Sequence, residues 1–546
     1  MKFDEMTKEE LIDYINNLDE ELNGKFGLVW DKEKEPEKIV VECDKYIPIV
    51  NEITEKRIEN KNENNILIEG DNFHSLSVLN YTHRESIDVI YIDPPYNTGN
   101  KDFMYNDKFV DIEDGYKHSK WLNFMEKRLK LARNLLSETG VIFISIDDNE
   151  FAQLRLLCDR IFGQNNFIAN IIWEKAYSPV NLKKHFSENH DYILCFAKNK
   201  ALAVCKGLKR NEEANSRYKN VDNDPRGPWK SSDLSVGPIV EEKVYEITTP
   251  SGRKVLPPKG YCWRLTKERF EEYVKDNRIW FGPDGNNVPS IKRFLSEVKN
   301  TLTPMTIWKY TEVGHSQDAT QKLKNLFDGQ SVFDYPKPVG LIKRLIELYS
   351  NEDSIILDFF AGSGTTGQAV LELNKEDGGH RKFILCTNNE NNICENVTYA
   401  RLKRIMNGHK DFEALGGTLR YYKTDFVDYI GTRDQLYYDL TEKCIPMLCV
   451  KSDTYELVEK NEEYVIYSNA DKTNYSCVYF DIFGKSYDKF LAKVKNIKEH
   501  KNLYIFSLSE YIDEDNFKGI SNYSLEPIPY KILDLYKNVV KMSKEN

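Results

Sequence analysis

The 546-residue chain lacks the features that would place it in a membrane or outside the cell. No apolar run approaches the ~20 residues that a membrane-spanning helix needs. The longest runs, Ile355–Ala361 and Val141–Ile146, have the length of buried strands. The first ten residues are charged and lack the apolar core of a secretion signal, so we expect a cytoplasmic protein. The ten cysteines include no CxxC pair, which disfavours a disulfide framework or a zinc site.

The chain also lacks the basic excess that is typical of nucleic-acid-binding proteins. It has 76 Lys and Arg against 87 Asp and Glu, a net charge of −11. The charge is uneven, because residues 201–330 contain 22 basic and 17 acidic side chains. The same segment holds 9 of the 19 prolines, so we expect an inserted, irregular or β-rich domain that can meet phosphate.

The length suggests three or four structural units, and strands alternate with helices on both sides of the insert. This rhythm predicts an α/β fold with a parallel sheet. The predicted strands are Asn65–Glu69, Asp88–Ile92, Gly140–Ser145, Ser354–Leu357 and Lys382–Thr387, and the predicted helices are Glu9–Leu22, Asn72–Thr82, Trp121–Leu136, Val339–Tyr349 and Gly367–Leu373. The predicted units are a helical lead-in (1–60), a first α/β part (61–200), the insert (201–330), a second α/β part (331–425) and a C-terminal accessory domain (426–546).

A glycine-rich turn, residues 358–367, follows one predicted strand and opens a helix. Gly362 and Gly367 have the spacing of a phosphate-binding P-loop, but Gln368 stands where the lysine must be. With Gly364 between them the glycines also match the weak dinucleotide pattern GxGxxG. A third candidate ligand is S-adenosylmethionine, whose ammonium group Asp358 could receive; a tight turn without a ligand stays open as well.

A second turn, DPPYNTG, follows the strand Asp88–Ile92 and suits methylation of an exocyclic amine. Such an amine is a poor nucleophile until two acceptors draw on its N–H bonds. The Asp93 carboxylate and the Pro94 carbonyl can supply them, since Pro94 and Pro95 make the turn rigid. Tyr96 offers a ring on which an extruded base can stack. The alternative is a proline-rich loop in which Asp93 caps a helix.

Together, DPPYNTG, the upstream EGDN of residues 69–72 and the glycine turn resemble an amino-group DNA methyltransferase. The catalytic turn precedes the cofactor turn, as in the permuted beta class, and DPPY in this order is typical of N6-adenine enzymes. Residues 25–425 are similar to the modification (Mod) subunits of type III restriction-modification systems. The resemblance implies a Rossmann-like S-adenosylmethionine-dependent fold that contains an inserted target-recognition domain.

The resemblance also assigns residues to the site. It implies a catalytic turn formed by Asp93, Pro94, Pro95 and Tyr96. Asp71 matches a motif that lies near the cofactor's adenine in the family. Many relatives bind the cofactor's ribose through an acidic residue at a strand end where this chain has Thr387, so Glu390 is our candidate for that contact. His190 and Asp191 match the region beside the target base. The residues expected around the cofactor's methionine end are Phe333, Lys337, Pro338, Asp358, Phe360, Ala361, Gly362 and Gly364.

The insert is the predicted surface for duplex DNA, and S-adenosylmethionine is the predicted cofactor. By analogy we expect a homodimer and an ATP-dependent restriction subunit (Res) as partner, with no membrane contact. No cluster has metal-ligand spacing, so no metal is expected. The predicted DNA contacts are His190, Arg226, Trp229, Lys230, Lys292 and Arg293.

Other functions fit part of the pattern. A solitary regulatory adenine methyltransferase would have the same motifs without a restriction partner. An NAD-dependent oxidoreductase would use GxGxxG but leave DPPYNTG unexplained. A catalytically inactive DNA-binding module would not need the intact turn from Asp93 to Tyr96. Methylation of RNA or of a protein glutamine also stays open.

Overall fold

The protein is described by a computed structural model that covers residue 30 and residues 37–43, 45–60, 63–100, 102–210, 212–428, 433–481 and 483–544. The predicted helix Glu9–Leu22 lies outside these residues. The chain divides into a small unit, Lys206–Pro304, and a large unit formed by the rest. None of the helices in the described part combines the length and apolar character needed to cross a bilayer.

A ten-stranded sheet forms the centre of the large unit. Its spatial order is β1-β10-β2-β9-β8-β3-β4-β6-β5-β7. The strands are β1 (Tyr46–Glu52), β2 (Asn64–Glu69), β3 (Ile87–Ile92), β4 (Leu136–Ile146), β5 (Phe167–Glu174), β6 (His190–Ala197), β7 (Ile307–Trp308), β8 (Ile355–Asp358), β9 (Lys382–Thr387) and β10 (Thr418–Asp428).

The six central strands, from β10 to β4, are parallel. Strands β2, β3, β8 and β9 are short apolar segments with buried side chains on both faces, as parallel strands covered by helices require. Strands β1 and β6 run antiparallel to their neighbours. The predicted α/β class is therefore confirmed, and the carboxyl ends of the parallel strands meet at one edge.

Helices cover the faces of this sheet. Strand β9 and the helices at 72–82 and 339–349 have the bounds predicted from the sequence. The helix predicted to begin at Trp121 begins one turn earlier, and its predicted last residue, Leu136, opens β4 instead. The helices are α1 (Lys38–Glu42), α2 (Asn72–Thr82), α3 (Lys117–Leu135), α4 (Phe151–Cys158), α5 (Tyr310–Val313), α6 (Ser316–Leu326), α7 (Val339–Tyr349), α8 (Thr365–Asp377), α9 (Ala400–Asn407), α10 (Arg433–Lys443), α11 (Ile445–Ser452), α12 (Tyr487–Asn496) and α13 (Tyr530–Lys544).

The small unit is narrower than the predicted insert 201–330. The boundary is corrected because β7 pairs with β5, Ile307 opposite Ile172, and so belongs to the main sheet. The unit is built from short strands, as its prolines and turn signals predicted, around a core that includes Trp263, Phe270 and Ile291. Its strands are Leu208–Lys209, Trp229–Asp233, Ser235–Val236, Ile247–Thr248, Lys254–Val255, Cys262–Trp263, Ile279–Trp280, Ser290–Phe294 and Thr301–Leu302, and its helices are Glu212–Ser216 and Lys267–Lys275.

Residues 426–546 do not form a separate compact unit, which corrects the predicted accessory domain. They contain a five-stranded sheet in sequential order. Apolar residues such as Val465 and Val478 join the core of the main sheet, and others such as Ile466 and Leu503 form a second cluster with α12. The Tyr81 hydroxyl donates to Glu526 at 2.6 Å, and that of Tyr536 donates to the Pro48 carbonyl. The strands are β11 (Glu456–Lys460), β12 (Tyr464–Ser468), β13 (Asn474–Tyr479), β14 (His500–Ser507) and β15 (Tyr523–Pro529). The predicted lead-in, 1–60, is likewise no separate unit where it is described, since β1 pairs with β10.

Candidate active site

Four acidic residues predicted to act in the site stand at the carboxyl edge of the parallel strands. Asp71 follows β2 by two residues and Asp93 follows β3 directly. Asp358 ends β8, and Glu390 lies three residues beyond β9. Because these four strands are neighbours in the sheet, their carboxyl ends form one continuous edge. Ligands of open α/β sheets bind at this edge, so the fold places the predicted residues where a ligand would be held.

The Asp93 carboxylate is the centre of the first turn. Its Oδ1 accepts a hydrogen bond from the Tyr96 hydroxyl at 3.0 Å. Its Oδ2 lies 2.5 Å from Nζ of Lys337, which also approaches the Tyr96 ring to 5.2 Å from the centroid. The Asp93 side chain is 28% exposed. Three residues predicted from two distant parts of the chain are thus brought together around a carboxylate that a ligand can reach.

Helix α3 contacts the proline pair of the turn. Nε1 of the fully buried Trp121 donates to the Pro95 carbonyl at 2.7 Å, and Pro94 is buried. Burial and the nearby Asp93 carboxylate raise the pKa of the Tyr96 phenol well above its usual value, so this hydroxyl stays a neutral donor. The turn is therefore rigid, as two prolines predict, and its tyrosine is fixed by the aspartate three residues earlier.

The glycine turn lies beside it. Gly362 (φ 48°) and Gly364 (φ 77°) both adopt the left-handed conformation that glycine permits without strain. A side chain at either position would be crowded: a Cβ on Gly362 would lie 3.2 Å from the Phe333 ring, and one on Gly364 would lie 3.2 Å from Thr398. Phe333 therefore lies against the turn, as its assignment to the cofactor site predicts. The Ala361 amide donates to the Cys386 carbonyl at 3.1 Å, which ties the turn to β9.

Asp358 is internal to this turn. Its Oδ2 accepts from the Thr366 hydroxyl at 2.6 Å and its Oδ1 from the Phe360 amide at 3.0 Å, and the residue is 2% exposed. The pKa of Asp358 is raised to about 7, chiefly by burial; the two hydrogen bonds oppose this rise, and the neighbouring Asp93 charge adds to it. Asp358 first of all holds the turn in shape, and any bond to a cofactor ammonium must use the remaining lone pairs of its oxygens.

The outer part of the predicted cofactor site contains two neighbouring carboxylates. Asp71 caps α2 by accepting from the Phe73 amide at 2.7 Å and lies 3.3 Å from the Arg128 guanidinium. Burial and the Asp71 charge raise the pKa of Glu390. The Phe360 ring packs 6.0 Å from that of Phe124, and Pro338 is the residue before α7.

His190 and Asp191 begin β6 on opposite faces, because successive side chains of a strand alternate. The His190 ring packs at right angles to Tyr192, at 5.0 Å. Asp191 is buried, pairs with Lys175 at 2.7 Å and contributes to the raised pKa of Tyr96. Of the two residues assigned beside the target base, Asp191 is buried and His190 is half-buried.

Three of the DNA contacts predicted in the small unit are internal to it. Lys292 is buried and pairs with Asp222, and buried Trp229 donates its Nε1 to the same carboxylate at 2.7 Å. Arg226 pairs with Asp224 at 2.8 Å and also with Asp276. The structure corrects the prediction for these three side chains, because each is already bonded to a carboxylate of its own unit. Lys230 and Arg293 are exposed and lie opposite each other on paired strands.

The site's geometry agrees with sequence comparison. The profile of the family described as DNA methylase matches residues 87–400, more than half of the chain. The chain therefore belongs to this DNA methylase family. The matched region contains the Asp93 and Gly362 turns and the whole small unit. The resemblance stated from the sequence is thereby confirmed, and an NAD-dependent oxidoreductase is not supported.

Three curated relatives of this DNA methylase illustrate the similarity. The Type III restriction-modification enzyme StyLTI Mod subunit of Salmonella typhimurium (strain LT2) is 36% identical over 375 residues, 64% of this chain and 56% of the relative. The EcoPI Mod subunit of Escherichia phage P1 is 36% identical over 387 residues, 61% of this chain and 58% of the relative. The Type II methyltransferase M.KpnI of Klebsiella pneumoniae is 33% identical over 63% of this chain and 88% of its own length. The aligned part thus spans under two thirds of the two Mod subunits.

Several residues of the site were not predicted. Buried Arg401 donates to the Ser363 carbonyl at 3.2 Å and to the Thr365 hydroxyl at 2.9 Å, which fixes the glycine turn from α9. Trp121 fixes the Asp93 turn through its bond to the Pro95 carbonyl, and Arg128 fixes Asp71 through its guanidinium. In the sequence, these residues could have been recognised only as charged or aromatic side chains on the otherwise apolar face of a helix. Among the described residues no group of three or more histidine, cysteine or acidic side chains could hold a metal.

Proposed function

We propose that this DNA methylase transfers a methyl group from S-adenosylmethionine to the N6 amine of an adenine extruded from duplex DNA. The observation that carries this proposal is the Asp93 turn, whose accessible carboxylate and tyrosine ring lie beside the glycine turn on the neighbouring strand. An acceptor and a stacking surface are what an adenine amine needs, and a glycine turn next to them brings the methyl donor within reach.

The residues present suit S-adenosylmethionine better than a phosphate-bearing cofactor. The carboxyl ends of β2, β8 and β9 carry the carboxyl groups of Asp71, Asp358 and Glu390. Their oxygens accept hydrogen bonds from an ammonium and from ribose hydroxyls, and they offer a phosphate no positive charge. Gly362 and Gly364 have no side chain, so the main chain of this turn can approach a ligand closely. When bound, S-adenosylmethionine supplies an electrophilic methyl group, and no metal is needed for its transfer.

The chain's own residues then act on the adenine. Asp93 Oδ1 and Oδ2 are both occupied, by Tyr96 and by Lys337. An incoming amine displaces one of these partners and donates its N–H to the carboxylate, and the Pro94 carbonyl accepts the second N–H. The nitrogen lone pair is thereby freed for in-line attack. Positioning accounts for most of the rate, since a well-placed pair of reactants gains several orders of magnitude over collision in solution.

Duplex DNA is the proposed substrate, and two exposed surfaces suit it. In the small unit, which has 19 basic and 14 acidic residues, Lys230 and Arg293 form an exposed basic pair. In the large unit, the segment 176–188 joins β5 to β6 at the catalytic edge and contains exposed Lys183 and Lys184 next to Leu182 and Phe186. Basic side chains pair with phosphates, and exposed apolar ones can wedge between bases.

The partners are proposed from the names of the relatives. Because the StyLTI and EcoPI relatives are Mod subunits of type III enzymes, we propose that this chain is a modification subunit that pairs with a second copy and with an ATP-dependent restriction subunit. A homodimer would show in light scattering at about twice the 63.9 kDa mass of the chain. The measured mass of a monomer at micromolar concentration would contradict the pairing.

Sequencing of DNA from a methylation-free host tests the reaction. We expect expression of this chain to add N6-methyladenine at one short sequence on one strand, and expression of Asp93→Ala to add none. N6-methyladenine on both strands of a palindrome would support the proposed reaction but contradict the type III assignment. Purified protein gives a second measurement: S-adenosylmethionine raises Tm and NAD does not, since only a ligand of the folded state stabilises it. No mark from a folded chain that binds the cofactor would contradict the DNA substrate.

A further inference from the structure

A buried carboxyl group that the proposed reaction does not use lies next to the catalytic turn. The Glu150 side chain is fully buried just before α4, and it contacts Asn97, the residue after Tyr96. Asn97 is 1% exposed and has a φ of 58°, in the left-handed region, which asparagine tolerates better than most residues. Its side chain therefore has to be held in place for the backbone beside Tyr96 to keep this conformation.

The hydrogen bonds between these two side chains are incomplete if Glu150 is ionised. Asn97 Nδ2 donates to Glu150 Oε1 at 2.6 Å and to the Lys117 carbonyl at 3.2 Å, and His118 Nδ1 lies 2.7 Å from the same Oε1. Glu150 Oε2 and Asn97 Oδ1 are both buried without a hydrogen-bond partner among the described residues. An ionised carboxylate and an amide oxygen are acceptors only, so two buried acceptors would be left unpaired, which is unfavourable.

A proton on Glu150 Oε2 would give both unpaired oxygens a hydrogen-bond partner. The amide donates one hydrogen bond to the carboxyl through Nδ2 and Oε1, and a protonated Oε2 can return one to Oδ1. A carboxylic acid and an amide that exchange two hydrogen bonds form a planar, reciprocal pair, which holds both groups more firmly than a single bond does. The neutral form also removes the penalty of a buried charge.

The charges around Glu150 agree with a neutral acid. The pKa of Glu150 is raised to about 8, chiefly by burial; Asn97 and Lys117 oppose this rise, and Asp147 adds to it. His118 does not supply a countercharge at neutral pH, because burial and Lys117 lower its pKa. Asp147, whose own pKa is raised by burial, stands on the loop after β4, and Lys117 and His118 stand at the start of α3.

We propose that Glu150 is a positioning residue that works as a neutral acid, forming a reciprocal pair with Asn97 and so fixing the Tyr96 ring for the extruded base. This inference rests on the proposed function, since it concerns the same turn. Ionisation of Glu150 would leave two buried acceptors facing each other, loosen Asn97 and misplace Tyr96. The methylation rate then falls as the pH rises past the pKa of this carboxyl.

Three variants separate the neutral acid from other roles. Glu150→Gln keeps a donor and an acceptor in the same shape, so it retains methylation at neutral pH and does not lose it at alkaline pH. Glu150→Ala and Asn97→Ala break the pair and lower kcat about tenfold or more, because a misplaced stacking surface costs alignment. Glu138→Gln, on the exposed start of β4, is the matched control and follows the wild-type pH profile.

Two measurements test the proposal, and the second of them does not depend on enzyme activity. Rates of methyl transfer from pH 6 to 9 should show an alkaline fall in the wild type that Glu150→Gln lacks. Infrared difference spectra of wild type against Glu150→Gln should show the C=O band of a protonated carboxyl at neutral pH. Loss of activity in Glu150→Gln equal to that in Glu150→Ala, or absence of the band, would overturn the proposal. An inactive wild type that shows the band would contradict the proposed function instead.

Discussion

Asp93 and Asp358 stand at the carboxyl ends of neighbouring parallel strands, yet their surroundings are opposite. Asp93 is 28% exposed and bonds to the polar ends of two side chains, the Tyr96 hydroxyl and the Lys337 ammonium. Asp358 is almost fully buried and bonds to the Thr366 hydroxyl and a backbone amide. The position on the sheet gathers the two carboxylates, and burial decides which one can meet a substrate and which one holds a turn.

The same contrast recurs within one strand of the small unit. Lys292 and Arg293 are adjacent in Ser290–Phe294, and their side chains point to opposite faces. Lys292 is buried beside Asp222, and Arg293 is exposed opposite Lys230. A basic residue in a segment of positive charge is thus available to DNA only when its own unit has not already paired it.

The largest expected effect is the loss of methylation on removal of Asp93. Asp93→Ala deletes the acceptor for the substrate amine, and we expect methyl transfer to fall by about 100-fold or more. Because the side chain is accessible, Tm should change little. Asp353→Ala, at the exposed start of the neighbouring strand, is the control and should keep full activity. A scintillation assay with labelled cofactor measures both, and substantial activity in Asp93→Ala would contradict the catalytic role.

Removal of Asp358 should instead destabilise the fold. Asp358→Ala leaves the buried Thr366 hydroxyl without its partner, at a cost of about 1–3 kcal/mol in the free energy of unfolding. Asp358→Asn can keep both hydrogen bonds and should have nearly wild-type stability. Urea unfolding measures the difference. If both variants unfold like the wild type while cofactor binding is lost, Asp358 is a ligand contact and the comparison with Asp93 fails.

The pH dependence of stability sharpens the same contrast. The folded state raises the pKa of Asp358 from 3.8 to about 7, so between these values the folded chain holds a proton that the unfolded chain has released. Stability contributed by this group therefore falls as pH rises through that window, by up to about 1.4 kcal/mol per pH unit. Asp358→Asn should show a flatter profile of Tm from pH 5 to 7 than the wild type. Parallel profiles would contradict the buried, protonated state.

A smaller effect is expected on DNA binding. The double substitution Lys230→Ala with Arg293→Ala should weaken binding at every sequence and reduce the slope of log affinity against log salt by about one for each lost phosphate contact. Lys292→Ala should leave that slope unchanged and lower the thermal stability of the small unit. Fluorescence anisotropy at several salt concentrations measures the slope. If Lys292→Ala changes the salt slope while the stability of the small unit stays the same, Lys292 contacts DNA and is not a structural residue.

Much of the fold was predictable because its signals are local. Strand β9 and helices α2 and α7 have the predicted bounds, since apolar runs, periodicity and the polar residues around them are all contained in short windows. The predicted boundaries of the insert and of residues 426–546 were wrong, because strand pairing and core sharing depend on segments that are distant in the chain. No local pattern reports that β7 pairs with β5.

For the site, the sequence by itself determined which residues stand at the edge of the sheet. DPPYNTG and the glycine turn each follow a strand, and parallel strands bring such turns together, so Asp93, Tyr96 and Gly362 could be named in advance. Only the tertiary structure decided what each residue does there. Lys337 reaches Asp93 from 244 residues away, Asp358 is buried, and Glu150 lies against Asn97. Burial and pairing set the charge and reach of a side chain, and both arise from contacts that the order of residues does not contain.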